Sequence, residues 1–411
     1  MILAAAVVTA SGWLVAAAPT AQQVAGDPAI PKRVAAVFPA SWRYPAGAHA
    51  TFAQHAIVAS NNRLAAEVGA QVMKQGGNAV DAAVATGFAL AVTFPEAGNL
   101  GGGGYMVIRM ADGRTDALDY RETAPLAATR DMYVGANGKL TGESVIGPKA
   151  SGVPGAVAGM LEAHRKYGVL SISRVLAPAI RLASEGFIVD SAFYRSLAAD
   201  KGRIAGFAGT SLFLPKGAPP AIGSRFVQPQ LARTLRLISS SGAREFYRGS
   251  IADSIVAEMQ RSAGLITKED LARYRPIWRH PIRSSYRGYT LLSMPPSSSG
   301  GATITEMLNI LEAYGPVTAF GSVERIHALA SASQRAFIDR NSKLGDPAYV
   351  KVPLATITSK AYAKAIAKTI SRDHAEATTQ LASALREGNE TTHYSVVDRS
   401  GNAVATTTTL N

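Results

Sequence analysis

The chain is 411 residues long, and its last 22, ETTHYSVVDRSGNAVATTTTLN (residues 390–411), gather hydroxyl side chains around one histidine in what reads as a β-hairpin. A threonine hydroxyl is a poor nucleophile until a base takes its proton. His393 is close in sequence, yet no Ser/His/Asp arrangement can be read around it. Another base arises if the bond between Glu390 and Thr391 is broken. Thr391 would then carry a free α-amine, ordinarily of pKa about 7.7–8.0, within one residue's reach of its own hydroxyl. On these residues alone, a plain hairpin with threonines in strand positions is the better reading.

A second chemical group stands in LDYRETAP. Arg121 closes a strand-like run, TDALDYRE, where a guanidinium fork can take a carboxylate through two parallel hydrogen bonds. The plainer reading is a salt bridge to a neighbour such as Glu122. The glycines of GNLGGGGYMVIR suggest a phosphate loop, but residues 101–104 lead into a strand rather than from a strand into a helix. Close backbone packing is the expectation there. PPSSSGG reads as a helix N-terminus that can also wall a site. Neither G-x-S-x-G nor S-x-x-K occurs, so the usual serine-hydrolase patterns have no anchor.

Composition removes further chemistries. With no cysteine, thiol nucleophiles, thiolate zinc sites, Fe–S clusters and disulfides are excluded. The seven histidines never approach H-E-x-x-H spacing, and neither a metal nor another cofactor is expected. The net charge of +13 comes from dispersed residues, 42 basic against 29 acidic, with no run that reads as a nucleic-acid patch. It suits small anionic molecules; a polyanion-binding role would show as salt-dependent retention on heparin.

The hydroxyls and the arginine need a scaffold. Residues 2–18, ILAAAVVTASGWLVAAA, read as a secretory signal lacking its basic start and too short for a comfortable membrane span. Residues 1–27 are therefore expected to be a leader and the protein periplasmic or secreted. A Pro/Ala-rich arm follows over 28–50. Leu64, Val68, Val72 and Met73 form a helical stripe ended by Gly76-Gly77. Asn78 and Asp81 form a capping box ahead of AVDAAVATGFALAV, which is apolar nearly all round and belongs in the core. GYMVIR and TDALDYRE read as strands around an ADGR turn, residues 171–260 as several helices, and YRGYTLLSM as one strand. A helix after PPSSSGG has Ile304, Met307, Leu308 and Leu311 at core spacing, and SKAYAKAIAKTI is helical. Helices fill most of the chain, with strands at its front and its very end.

These pieces together resemble the γ-glutamyltransferases, N-terminal-nucleophile hydrolases acting on glutathione and other γ-glutamyl compounds. The resemblance rests on GGNAVDAAVATGFALAVTFPEAGNLGGGGYMVIR, LDYRETAP, GVPGAVAGMLEAHRKYG, EDLARYRPIWR, MPPSSSGG, LGDPAYVKVP and TTHYSVVDRSGNAVATTTTLN, in the family's order over about residues 55–411. It implies a proenzyme that cuts itself before Thr391, with 28–390 as the large-subunit region and 391–411 as the start of the small one. It also implies a γ-glutamyl ester on Thr391, resolved by water or by an amino acid or dipeptide acceptor. Thr409 would support the Thr391 amine, Arg121 would hold the glutamyl α-carboxylate, and Asn411 would contact the glutamyl end. The fold implied is α/β (α+β), a four-layer αββα sandwich whose hairpin presents the nucleophile from a rigid sheet edge.

Family members continue well past this asparagine, through the glycine amides of an oxyanion hole and the groups that hold the glutamyl amine. The expectation is therefore a sandwich incomplete at its C-terminus, and a truncated chain or fragment that neither cleaves itself nor turns over substrate. Two alternatives stand beside the γ-glutamyl reading. One is a cephalosporin or glutaryl acylase on the same scaffold, against which Arg121 is taken to favour the glutamyl donor. The other is a non-catalytic, uncleaved relative of the proenzyme.

Overall fold

The computed structural model describes residues 52–316, 321–377 and 391–410; Glu390, Asn411 and the leader region lie outside them. The chain divides into two units, one drawn from residues 53–279 and 387–411, the other from 1–52 and 280–386.

The first unit is built on a six-stranded sheet. Its strands are β1 (Ile57–Ala59), β2 (Gly103–Arg109), β3 (Thr115–Asp119), β6 (Ile277–Arg279), β9 (Thr391–Val397) and β10 (Ala403–Thr409). Their spatial order is β1-β9-β10-β2-β3-β6 and every pairing is antiparallel. Between β3 and β6 in sequence, β4 (Phe187–Ile188) and β5 (Arg225–Phe226) make a small separate pair among the helices. That pair is a correction to the all-helical reading of 171–260; two-residue strands are too short to show any alternation.

The final hairpin, β9–β10, is inserted between β1 and β2, which corrects the sheet-edge expectation. β1 covers only Ser395–Val397, so the Thr391 end of β9 extends beyond its β1 pairing. Alternation sorts the hairpin's faces. Tyr394, Val396, Val404 and Thr406 are buried in the core, whereas Thr391, His393 and Val397 are exposed on the opposite face.

Helix α1 (Arg63–Lys74) buries Val68 and Val72, with Leu64 and Met73 packed beside them. Helix α2 (Ala79–Thr93) is buried at every residue, as its sequence requires, and the Asn78/Asp81 capping box forms at its start. Fully burying Phe88 and Leu90 contributes about 1.5–3 kcal/mol each. The hairpin turn reaches the same helix end: Ala79 N–H donates to Asp398 Oδ2 at 2.9 Å, while Asp398 Oδ1 accepts from the Ser400 and Asn402 amides. The turn thus fixes the hairpin's register against α2. Helices α3 (Ala156–Tyr167) and α4 (Ile172–Glu185) complete the layer.

In the second unit, YRGYTLLSM is not one strand. Arg287 (φ 49°) and Gly288 (φ 85°) form a two-residue turn between β7 (Ile282–Tyr286) and β8 (Tyr289–Ser293), making a hairpin. Arg287 masked the signal, being neither Asn nor Asp. PPSSSGG does lead into a helix, Gly300–Tyr314. Its expected stripe, Ile304, Met307, Leu308 and Leu311, is only half-buried, while Thr305, Glu306 and Asn309 are buried.

The helix buries a neighbouring face instead, on which Ala302, Ile310 and Tyr314 line up with Thr305, Glu306 and Asn309, so a polar cluster sits within the apolar packing. Glu306 hydrogen-bonds to Asp339 of the helix Val323–Lys343, and Asp339 also accepts from Tyr362 (2.6 Å) and Lys343 (2.7 Å). Burial, then the Asp339 charge, pushes the Glu306 carboxyl up to about 8. A carboxyl that keeps its proton in the fold but loses it when unfolded makes stability fall as pH rises from about 4.5 to 8. Glu306→Gln imitates the protonated form. It is expected to unfold in urea like the parent at pH 5 and to exceed it by on the order of 1–3 kcal/mol at pH 8.5. Parallel pH dependence in parent and variant would refute this assignment.

Candidate active site

The hydroxyl row converges at the end of the sheet where β9 begins and β10 finishes. Thr391 and Thr409 face each other in register, and Gly103 of β2 is opposite Thr409 on the other side. Thr391 Oγ1 donates to Thr409 Oγ1 at 3.1 Å, and Thr409 Oγ1 donates to the Leu410 carbonyl at 3.2 Å. These two hydrogen bonds fix where the Thr391 hydroxyl points, but neither acceptor is a base able to take its proton.

The glycine run makes this end possible. A Cβ at Gly102 would lie 2.2 Å from the Thr409 carbonyl, and one at Gly104 2.4 Å from that of Thr407. Gly103 would meet the Tyr120 carbonyl at 2.6 Å and the Glu122 carboxylate at 2.7 Å. The expectation of close packing is met at these three; Gly101 borders open space. Asn99 ties the run to the hairpin. Its Nδ2 donates to the Thr409 carbonyl at 2.9 Å, and its Oδ1 accepts from the Gly102 amide at 2.7 Å. Asn99 lies inside the quoted GNLGGGG motif but carried no readable role there, because the hairpin residue it ties down, Thr409, is 310 residues away.

Arg121 is two residues past the end of β3, at the end of the sheet where Thr391 lies. Tyr120 still exchanges main-chain hydrogen bonds with Gly104. Thr391 and Arg121 are three strand spacings of about 4.8 Å apart, on the order of 14 Å between main chains. A long guanidinium side chain and a short dicarboxylic acyl chain together can bridge that gap. The Arg121 side chain is 29% exposed, and its Nε stands 3.4 Å from Glu122 Oε2, so the salt-bridge reading also holds. The Glu122 oxygens make no hydrogen bond. Burial pushes the Glu122 carboxyl above the ordinary range, opposed by the Arg121 charge.

His393 turns along the hairpin instead. Its Nδ1 meets Thr407 Oγ1 at 2.9 Å and its Nε2 meets Ser395 Oγ at 3.2 Å. Loss of hydration lowers its pKa below the usual imidazole value. Both nitrogens are engaged away from Thr391, which leaves the proton-acceptor role to another group. Among the described residues, no cluster of histidine and carboxylate side chains is arranged to hold a metal ion.

Residues 65–411 match the protein family described as Gamma-glutamyltranspeptidase. A glutathione hydrolase proenzyme from Escherichia coli (strain K12) is 47% identical over 88% of this chain and 64% of its own length. An acylase ACY 1 proenzyme from Pseudomonas sp. (strain V22) is 42% identical over 86% of this chain and 65% of its own. In the crystal structure of Helicobacter pylori gamma-glutamyltranspeptidase, 40% identity accompanies a TM-score of 0.78, covering 83% of this chain and all of that one. The chain thus spans just under two thirds of the curated relatives it matches.

Proposed function

The chain belongs to the gamma-glutamyltranspeptidase family, and from that premise we propose that the complete protein transfers and hydrolyses γ-glutamyl groups through an ester on Thr391. The observation that carries this reading is the 3.1 Å contact between Thr391 and Thr409 at the sheet end nearest Arg121.

In the first stage the Thr391 hydroxyl attacks the Glu390 carbonyl, and the amide becomes an ester that water hydrolyses. This frees the Thr391 α-amine, whose ordinary pKa of about 7.7–8.0 suits a base at neutral pH. In the second stage Thr391 Oγ1 attacks the γ-carbonyl of the donor, with its own amine taking the proton and Thr409 holding that amine. The leaving amine departs, cysteinylglycine when glutathione is the donor. Water, an amino acid or a dipeptide then resolves the ester. Arg121 binds the donor α-carboxylate, and Asn411 contacts the glutamyl end. The rigid hairpin keeps nucleophile and carboxylate clamp at a fixed spacing, which is the main contribution of positioning to such a reaction.

On this reading, residues 28–390 and the chain from Thr391 onward are the two subunits, the whole adopts the four-layer αββα sandwich, and 1–27 directs export to the periplasm or beyond. The apolar run over 2–18 supports export. Among the described residues, no helix is long and apolar enough to cross a membrane.

The acylase relative favours a second reading, a glutaryl or cephalosporin donor. Arg121 takes the terminal carboxylate of a glutaryl chain as well as that of a glutamyl chain, so it does not separate the two donors. The α-amino group does. The full-length gene product is expected to yield two pieces by mass spectrometry and to hydrolyse γ-glutamyl-p-nitroanilide at least tenfold faster than glutaryl-p-nitroanilide. Equal or inverted rates would establish the acylase reading; a single uncut, inert chain would refute both.

A further inference from the structure

We propose that residues 274–279 form a clasp on the main chain of Arg121, with Tyr274 and Arg279 as positioning residues for the carboxylate clamp. The inference rests on the reading of Arg121 just given and deepens it.

Arg121 needs such a device. The β3 ladder to β6 ends at the pair Asp119–Ile277, and the last main-chain exchange with β2 is made by Tyr120. The Arg121 amide and carbonyl therefore fall outside the sheet, and side chains hold both. The Tyr274 hydroxyl donates to the Arg121 carbonyl at 2.9 Å. The Arg121 N–H donates to Asp119 Oδ1 at 3.2 Å, and the other oxygen of that carboxylate accepts from Arg279 Nε and a terminal guanidinium N–H, each at 2.9 Å. One six-residue segment, the YRPIWR of the sequence, thus holds the carbonyl directly through Tyr274 and the amide indirectly, by pinning Asp119 through Arg279.

The clasp is rigid. Tyr274 is buried and stacks on Tyr247 at 5.7 Å between ring centres and 12° between planes. Tyr247 is itself fixed, donating to the Pro154 carbonyl at 2.8 Å and accepting from the Ala158 amide at 3.2 Å. Gly155 leaves the room: a Cβ there would lie 2.2 Å from the Tyr274 hydroxyl. Burial, with Tyr247 alongside, keeps the Tyr274 phenol protonated, so it remains a donor throughout the working pH range. The Arg121 side chain, by contrast, is held by little besides Glu122, and its aim depends on where its backbone sits.

Tyr274→Phe keeps the stacked ring and removes only the hydroxyl, leaving a carbonyl without its partner. In the full-length gene product it is expected to raise KM for γ-glutamyl-p-nitroanilide about tenfold, with kcat changed less than threefold. Placed on Arg121→Ala, the same substitution should add nothing, because its route to the substrate is gone. Asp119→Asn, tested in the same two backgrounds, probes the other grip and gives a second measurement if the phenylalanine variant folds poorly. An unchanged KM in Tyr274→Phe and Asp119→Asn, or an equal rise with and without Arg121, would overturn the clasp. If Arg121→Ala alone leaves KM unchanged, the failure lies in the carboxylate assignment rather than in the clasp.

Discussion

Thr391→Ala in the full-length gene product is expected to leave one uncut chain and to abolish γ-glutamyl turnover, a loss on the order of a million-fold, as when a covalent nucleophile is removed. The side chain is exposed and makes one hydrogen bond, to Thr409. Losing that bond costs about 1 kcal/mol of stability, far too little to unfold a domain with this core. The defect would therefore be chemical: without the hydroxyl neither the Glu390 carbonyl nor the donor is attacked. Thr391→Ser keeps the hydroxyl and should mature, more slowly, into two pieces. Mass spectrometry and glutathione consumption read the two stages separately. An alanine variant that still matures and still consumes glutathione would end the nucleophile assignment.

Arg121→Ala is the second large effect. Removing one side of a charge-assisted, two-pronged contact costs about 2–5 kcal/mol, which predicts a fall in kcat/KM of roughly 30- to several thousand-fold, mostly through KM. Maturation should be untouched, since no carboxylate ligand takes part in the first stage. Lysine should rescue poorly, because a point charge cannot reproduce the fork. The substitution has a local consequence too. Arg121 is the charge that restrains the upward shift of Glu122, so its loss raises that carboxyl further. A KM within threefold of the parent, measured with γ-glutamyl-p-nitroanilide, would refute the contact.

What the sequence disclosed follows from range. Local signals were legible: the Asn78/Asp81 box, the wholly apolar α2 and the alternation of β9 and β10 can be read from residues a few positions apart, and all of them form. Partners far along the chain were not. Nothing around Tyr274 points to a carbonyl 153 residues earlier, and nothing around Asp398 points to the start of α2, 319 residues before it. The hairpin's place inside the sheet was misjudged for the same reason, since strand order is a long-range property. The stripe on the helix Gly300–Tyr314 misled differently. Apolar spacing assumes that the most apolar stripe faces inward, whereas here the buried face mixes Ala302, Ile310 and Tyr314 with Thr305, Glu306 and Asn309. Among the residues that the motifs singled out, Thr391 and Thr409 are brought into contact by the hairpin register; that contact and the Asn99 tie needed coordinates.

The hairpin inserted between β1 and β2 constrains what backbone scission can accomplish. A segment beginning at Thr391 would be threaded through its neighbours like a shuttle held in the warp, gripped along β2 on one flank and β1 on the other, with Tyr394 and Val396 sunk into the helices beneath. Severing the covalent link would then free an amine without freeing a polypeptide. The two products of maturation would exchange only as fast as the whole sheet comes apart.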